Sequence, residues 1–229
     1  IGKAIAIQLA ELGAKVTVNY AGSKEAALDV VKEIESIGGQ AIAVRADVSR
    51  LSDIDHLFSE TIDKFDKVDI LINNAGIMDN RLLADVTEED FDRQFNINVK
   101  GTYFACQKAM LHMEEHGRIV NFSTSVAGSM LPAYSVYAAT KGAVEQLTRQ
   151  LAKEFSNKKI NINAIAPGPV KTELFLKGKT QQQIEAMGKL NAFGRLGEPE
   201  DIADVIEFLV SSKSHWITGQ TIRVNGGFN

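Results

Sequence analysis

The 229-residue sequence reads as one doubly wound α/β domain, residues 1–229, built on a parallel sheet. Three features carry that reading. Short apolar runs of strand length alternate with segments of helical period along the whole chain. The runs are apolar on both faces, as strands covered by helices above and below must be. No linker, internal repeat or low-complexity tract divides the chain.

Residues 1–12 read as a helix, with Ile5, Leu9 and Leu12 on one face and Gly13 as its stop. A strand follows at Lys15–Tyr20. Residues 24–37 return to helical period through Ala27, Val31 and Ile34, and Gly38-Gly39 end them. Gln40–Arg45 is the next strand. In 53–65, Ile54, Phe58, Ile62 and Phe65 align, with Ser52 as the expected N-cap. After a strand at 69–73 come helices at about 87–98 and 102–115, then a strand at Arg118–Phe122. A long helix covers 134–155 and a strand 160–166. Residues 167–199 are loop-rich. The last helix, 200–210, aligns Ile202, Val205, Ile206 and Leu209, and a strand at 220–224 closes the pattern.

Composition excludes several classes. With 45% hydrophobic and 24% charged residues the chain is neither disordered nor fibrous. A net charge of −4, from 25 basic and 29 acidic residues without a basic tract, does not suggest nucleic acid. The one cysteine, Cys106, excludes an internal disulfide and a cysteine-built zinc cluster. With no basic-then-apolar opening segment and no apolar run of the ~18 residues a membrane span needs, the cytoplasm is the expected compartment.

In such a fold, ligands bind beyond the carboxyl ends of the strands. The residues there are Tyr20, Asp47, Asn73-Asn74-Ala75-Gly76, Ser123-Thr124-Ser125 and Pro167-Gly168. Tyr137 and Lys141 stand four apart on a helix, so phenol and ammonium share a face. A nearby cation favours phenolate, so Lys141 is expected to lower the Tyr137 pKa and make it a usable acid/base. The same spacing at Tyr20 and Lys24 spans a strand-to-helix turn through Gly22 and Ser23, where that geometry fails.

Gly2 opening a helix, Asp47, Asn73-Asn74-Ala75-Gly76, Asn98, Ser125, Tyr137 with Lys141, and Pro167-Gly168 follow one another as in short-chain dehydrogenases/reductases. The chain resembles that family throughout, and within it the 3-oxoacyl-acyl-carrier-protein reductase type. Supporting stretches run from Gly194 to Pro199 with Asp201-Ile202-Ala203, and through Thr218-Gly219-Gln220 and Asn225-Gly226-Gly227. The resemblance implies a nicotinamide oxidoreductase in which Tyr137 protonates a carbonyl oxygen as hydride arrives. Lys141 would bind the nicotinamide ribose, Ser125 would orient the substrate, and Asn98 would hold a water linking Lys141 to solvent. Asp47 with Val48 would meet the adenine, and Asn74, Ala75 and Gly76 the adenosine half. Val170 and Thr172, after Pro167, would hold the carboxamide.

The family usually sets its serine thirteen residues before the tyrosine. Here Thr124 is at thirteen, Ser125 at twelve and Ser123 at fourteen. Ser125 is preferred because Val126-Ala127-Gly128 follows it, with Thr124 as the alternative. The family also places a strand and a glycine-rich turn before the glycine that Gly2 matches. A central strand and turn of roughly 15 residues are thus expected to precede Ile1.

The second strand ends in Asn19-Tyr20-Ala21-Gly22-Ser23-Lys24, with no acid until Glu25, so NADP(H) is favoured over NAD(H). A small carbonyl or alcohol is the expected substrate, with an acyl-carrier-protein-linked thioester one reading and a sugar, polyol or xenobiotic ketone another. A non-catalytic nucleotide-binding or scaffold protein is the alternative of another class. Arg118 and Lys158 fall where the carrier-protein reductases keep basic residues for their partner. The helices at 102–115 and 134–155 would pair in a homodimer or homotetramer. Leu174, Phe175, Leu176, Met187 and Phe193 make 167–199 an apolar lid. The zinc-like spacing of His112, Glu115 and His116 reads as a surface helix end, the sequon at Asn121 as a buried strand end, and Cys106 as packing. No metal is expected.

Overall fold

A computed structural model describes residues 1–229. In chain order the elements are α1 (Gly2–Glu11), β1 (Lys15–Tyr20), α2 (Lys24–Ser36), β2 (Gln40–Arg45), α3 (Leu51–Phe65), β3 (Ile70–Asn73), α4 (Glu88–Phe95), α5 (Thr102–His112), β4 (Arg118–Phe122), α6 (Ser135–Glu154), β5 (Asn161–Pro167), α7 (Glu173–Leu176), α8 (Gln181–Gly188), α9 (Pro199–Val210) and β6 (Thr221–Val224).

All strands pair in parallel, as the sequence predicts. β1 pairs with β2, and β3-β4-β5-β6 form a second sheet in that order. β1 and β3 are not paired with each other.

Alternation along the strands fixes what covers them. Ile119 and Ile162 face a core shared with Ile54 and Phe58 of α3, Cys106 of α5 and Phe155 beyond α6. Val120 and Ile165 face the opposite core, against Ile5 and Leu9 of α1 and Ile202 and Ile206 of α9. β5 is buried at every position, as a strand with helices on both sides must be. A third, small cluster of Ala10, Val30 and Ile34 holds α1 and α2 near β1 and β2.

Two local expectations are corrected. Ser52 is not the cap of α3: the helix starts at Leu51 behind Arg50, and the Ser52 hydroxyl donates to Asp53 at 3.2 Å. The helix read at 87–98 ends at Phe95 and widens into a π-helical turn, Asn96–Gly101, which runs into α5. The loop-rich 167–199 stretch holds α7 and α8. Its base is pinned where Lys171 N donates to Gly197 O at 2.8 Å and Gly197 N to Pro169 O at 2.9 Å.

Candidate active site

Beyond the carboxyl ends of β3, β4 and β5 lies a cavity of about 140 Å³. Asn74 and Gly76 follow β3 into its wall, Ser123, Thr124 and Ser125 follow β4, and Pro167, Gly168, Val170 and Thr172 follow β5. α6 contributes Tyr137 and Lys141 from one helix face. Leu174, Phe175 and Met187 reach the cavity from α7 and α8, whereas Leu176 and Phe193 do not line it. The strand-end rule thus brings most of the sequence-selected residues together.

The titration of the pair runs against the sequence expectation. Burial pushes the Tyr137 phenol up to about 12, and no lowering by Lys141 enters. Lys141 Nζ donates to Phe122 O at 2.8 Å and lies 5.8 Å from the centre of the Tyr137 ring. Burial in turn brings the Lys141 ammonium down to about 8. Tyr137 therefore stands as a neutral phenol, a proton donor at neutral pH.

The Thr124 hydroxyl accepts the Val126 N–H at 3.3 Å and opposes the upward shift of the Tyr137 phenol. Ser125 is buried at the cavity wall. It donates to Ala166 O at 3.1 Å and accepts from Asn225 Nδ2 at 2.9 Å. Asn229 Nδ2 closes the same turn on Ser125 O and Ser129 Oγ, each at 2.6 Å. Ser123 donates to Glu145 at 2.7 Å. Asn225 and Asn229 were not among the sequence-selected site residues, although Asn225-Gly226-Gly227 was legible as a motif.

Asn98 is fully buried behind the cavity wall. Its amide exchanges two 2.9 Å bonds with the Ile77 backbone and donates to Thr140 Oγ1 at 3.1 Å. Thr140 in turn donates to Tyr137 O at 2.7 Å. The side chain expected to hold a water thus braces the post-β3 segment against α6. A Cβ on Gly76 would lie 3.2 Å from Asn98 Oδ1 and 3.4 Å from Lys141 Nζ, so only glycine leaves both undisturbed.

The remaining predicted residues line the approach to α1 and the ends of β1 and β2. α1 opens at Gly2 with no acid in its first turn, and a helix N-terminus favours an anion. A Cβ on Gly2 would meet Asn74 Nδ2 at 2.8 Å. Asn19 Nδ2 donates to Ala46 O at 2.9 Å, so its amide braces the β1–β2 end and is not a free donor. Tyr20 O accepts the Ala46 N–H at 2.9 Å. Ser23 stands at the N-cap of α2 with its hydroxyl unused there. Asp47 accepts from Ser49 N at 3.0 Å and Ser49 Oγ at 2.7 Å, while Val48 packs on Gly101. Ala75 lies between the wall residues Asn74 and Gly76. Arg45, which sequence reading passed over, donates from Nε to Ala21 O at 3.3 Å, and neither it nor Lys24 has a carboxylate within ion-pair distance.

A family profile described as "Enoyl-(Acyl carrier protein) reductase" matches residues 1–229. Versicolorin reductase 1 of Aspergillus parasiticus is 42% identical over 239 residues, spanning 99% of this chain and 91% of that one. The chain belongs to the short-chain dehydrogenase/reductase family. Another relative, a short-chain type dehydrogenase/reductase of Picea abies, is 39% identical over 237 residues, covering 99% of this chain and 88% of that one. Among solved structures, the angucycline C-6 ketoreductase LanV with bound NADP superposes with a TM-score of 0.93 at 36% identity, covering 99% of this chain and 90% of that one. A short-chain dehydrogenase/reductase from Serratia marcescens gives 0.95 at 31% identity, over 99% and 92%. The chain is accordingly an NAD(P)-dependent short-chain carbonyl reductase.

Within this short-chain dehydrogenase/reductase, other sequence signals resolve as structure. Lys158 donates to Met110 O and Met113 O at 2.9 and 2.8 Å, capping the end of α5. Arg118 donates to His116 O at 2.8 Å and Gly117 O at 3.1 Å. Both cations expected to meet an acidic carrier protein are thus held by their own chain. His112 packs 6.0 Å from the Phe58 ring, and His116 lies 3.9 Å from Glu115, which Lys159 also engages. No three metal-ligating side chains converge, and no helix is long and apolar enough to cross a membrane.

Proposed function

We propose that the chain is an NADP(H)-dependent ketone reductase in which Tyr137 donates the proton to the substrate oxygen. The observation that carries the reading is the Tyr137 phenol lining one cavity together with Thr124 and a buried Lys141. The residues present fit the cofactor: an α1 N-terminus with no acid in its first turn, glycines at Gly2 and Gly76 that admit close backbone approach, and Ser23, Lys24 and Arg45 without an acid beside them. Bound NADPH supplies the hydride. Thr124 holds the substrate oxygen beside the phenol, Ser125 anchors the turn that presents Thr124, and Asn98 is a positioning residue acting through Ile77 and Thr140. Lys141, as the ammonium, favours the developing phenolate.

The substrate reading is a cyclic or aromatic ketone. Most residues lining the cavity are apolar, which disfavours a sugar. The relatives are named for versicolorin and for an angucycline ketone. A 3-oxoacyl thioester is the second reading, weakened by the internal commitments of Arg118 and Lys158. Association through α5 and α6 is the proposed assembly, a homodimer or homotetramer, and the cytoplasm the proposed compartment.

The test is NADPH and NADH consumption with cyclic ketones, acetoacetyl thioester and sugars. Tyr137→Phe is expected to lower kcat by roughly 10²–10⁴ while NADPH binding persists. Thr124→Ala should lose about 10-fold or more and Thr124→Ser retain activity, with Ser125→Ala losing less than Thr124→Ala. Undiminished turnover by Tyr137→Phe sinks the proton-donor assignment, and no turnover with either cofactor sinks the enzyme reading.

A further inference from the structure

A second apolar pocket, of about 370 Å³, adjoins the first and takes no part in the chemistry above. It lies between the segment before α4 and the segment before α6. Val126, Leu131 and Tyr134 line both spaces. On its outer side stand Leu82, Leu83 and Met130, 57%, 84% and 99% exposed. Three large apolar side chains turned to water at one place are the signature of a surface that something covers.

The two segments are tied to each other. Arg81 N donates to Ala133 O at 3.0 Å, and Arg81 Nε pairs with Asp90 at 3.1 Å and Asp79 at 3.6 Å. Ala133 is held at φ 69°, which a residue with a Cβ adopts only where its surroundings impose it. The frame of the pocket is therefore built, and no charged side chain lines it.

We propose that this pocket is a distal subsite for the ring system of an extended apolar ketone whose carbonyl sits at Tyr137. The proposal rests on the ketone-reductase reading. Its occupant follows from continuity: the Tyr134 ring lies 6.5 Å from the Tyr137 ring at 61°, so Tyr134 is the wall between the proton donor and the second pocket. A flat ligand too long for the first space passes that wall and lies against Leu82, Leu83 and Met130. A small or charged substrate gains nothing there. These three residues set specificity without touching the reacting atoms.

The experiment compares wild type, Leu83→Ser and Met130→Ser, whose exposed positions carry no core packing. KM and kcat are measured for cyclohexanone and for a fused three-ring ketone, and the three-ring ketone is also measured by equilibrium dialysis, which needs no turnover. Each substitution is expected to raise KM and the dialysis Kd for the three-ring ketone about tenfold, leaving cyclohexanone constants within about twofold. Unchanged binding, or equal losses for both ketones, overturns the subsite. A change of oligomeric state in the variants by sedimentation also overturns it, making the patch a contact between copies of the chain. If wild type binds the three-ring ketone but reduces neither, the reductase reading fails, and the dialysis comparison alone judges the subsite.

Discussion

Lys141 sits in the driest part of the cavity with one backbone carbonyl for a partner. An unfolded lysine keeps its proton to about pH 10.5, and the folded one releases it near 8. Between those values the unfolded chain binds more protons, so stability rises with pH there. Below pH 8 the folded state bears the full cost of a buried ammonium, about 3 kcal/mol. Lys141→Met is therefore expected to raise Tm at pH 7 by roughly 2–6 °C, even with Phe122 O left unpaired, while reduction is lost. Calorimetry at pH 7 and pH 10 checks this, because the gap must shrink at the higher pH. Wild-type reduction is expected to decline above about pH 8 as Lys141 loses its charge. Neither titration direction was legible in the sequence. Spacing placed Tyr137 beside Lys141, but not the bond from the ammonium to the Phe122 carbonyl. The bond from Asn225 to the Ser125 hydroxyl was equally out of reach, because Asn225 is distant in sequence.

α9 shows what a short motif does for one helix. Asp201 takes both Arg195 nitrogens, at 2.6 and 2.9 Å, and the Glu198 N–H at 2.7 Å, while Pro199 supplies the first turn. Arg195 first, then the Glu198 N–H, hold the Asp201 carboxyl down at about 2. A depressed carboxylate stabilises above its ordinary range and loses that contribution as pH falls towards 2. The pair is largely exposed, so Asp201→Asn is expected to cost only about 0.5–1 kcal/mol. Circular-dichroism melts should show the difference at pH 7 and lose it near pH 2. Helices with a long apolar stripe, such as α6 and α9, were readable within a residue or two. α7 and α8 were not, being too short for periodicity, although Thr180 and Gln183 spell the capping box that starts α8. The π-helical turn at Asn96–Gly101 carries no compositional signal. It follows from Asn98 being drawn to Ile77 and Thr140 and from Thr102 Oγ1 donating to Asn98 O at 2.9 Å.

At the scale of the molecule, burial is uneven. Every residue of β5 is buried, whereas residues 177–182 are largely exposed. Amide exchange is expected to be slowest at residues 162–166 and at least about 100-fold faster through 177–182. Mass spectrometry of exchanged peptides checks it, and equal protection of the two segments would contradict it. The α/β class was legible because strands apolar on both faces leave few alternatives. The short helices α7 and α8 over the cavity were not, since a stretch of 4 or 8 residues is too brief to show a period.

The Ser125 turn is closed by Asn225 and Asn229, each about a hundred positions away along the chain. Asn225 follows directly on β6, so the turn can close only once β6 has paired with β5. The last strand added to the sheet thus also fastens the wall of the cavity, and a fault at the carboxyl end of the chain reaches the chemistry without touching a residue that performs it.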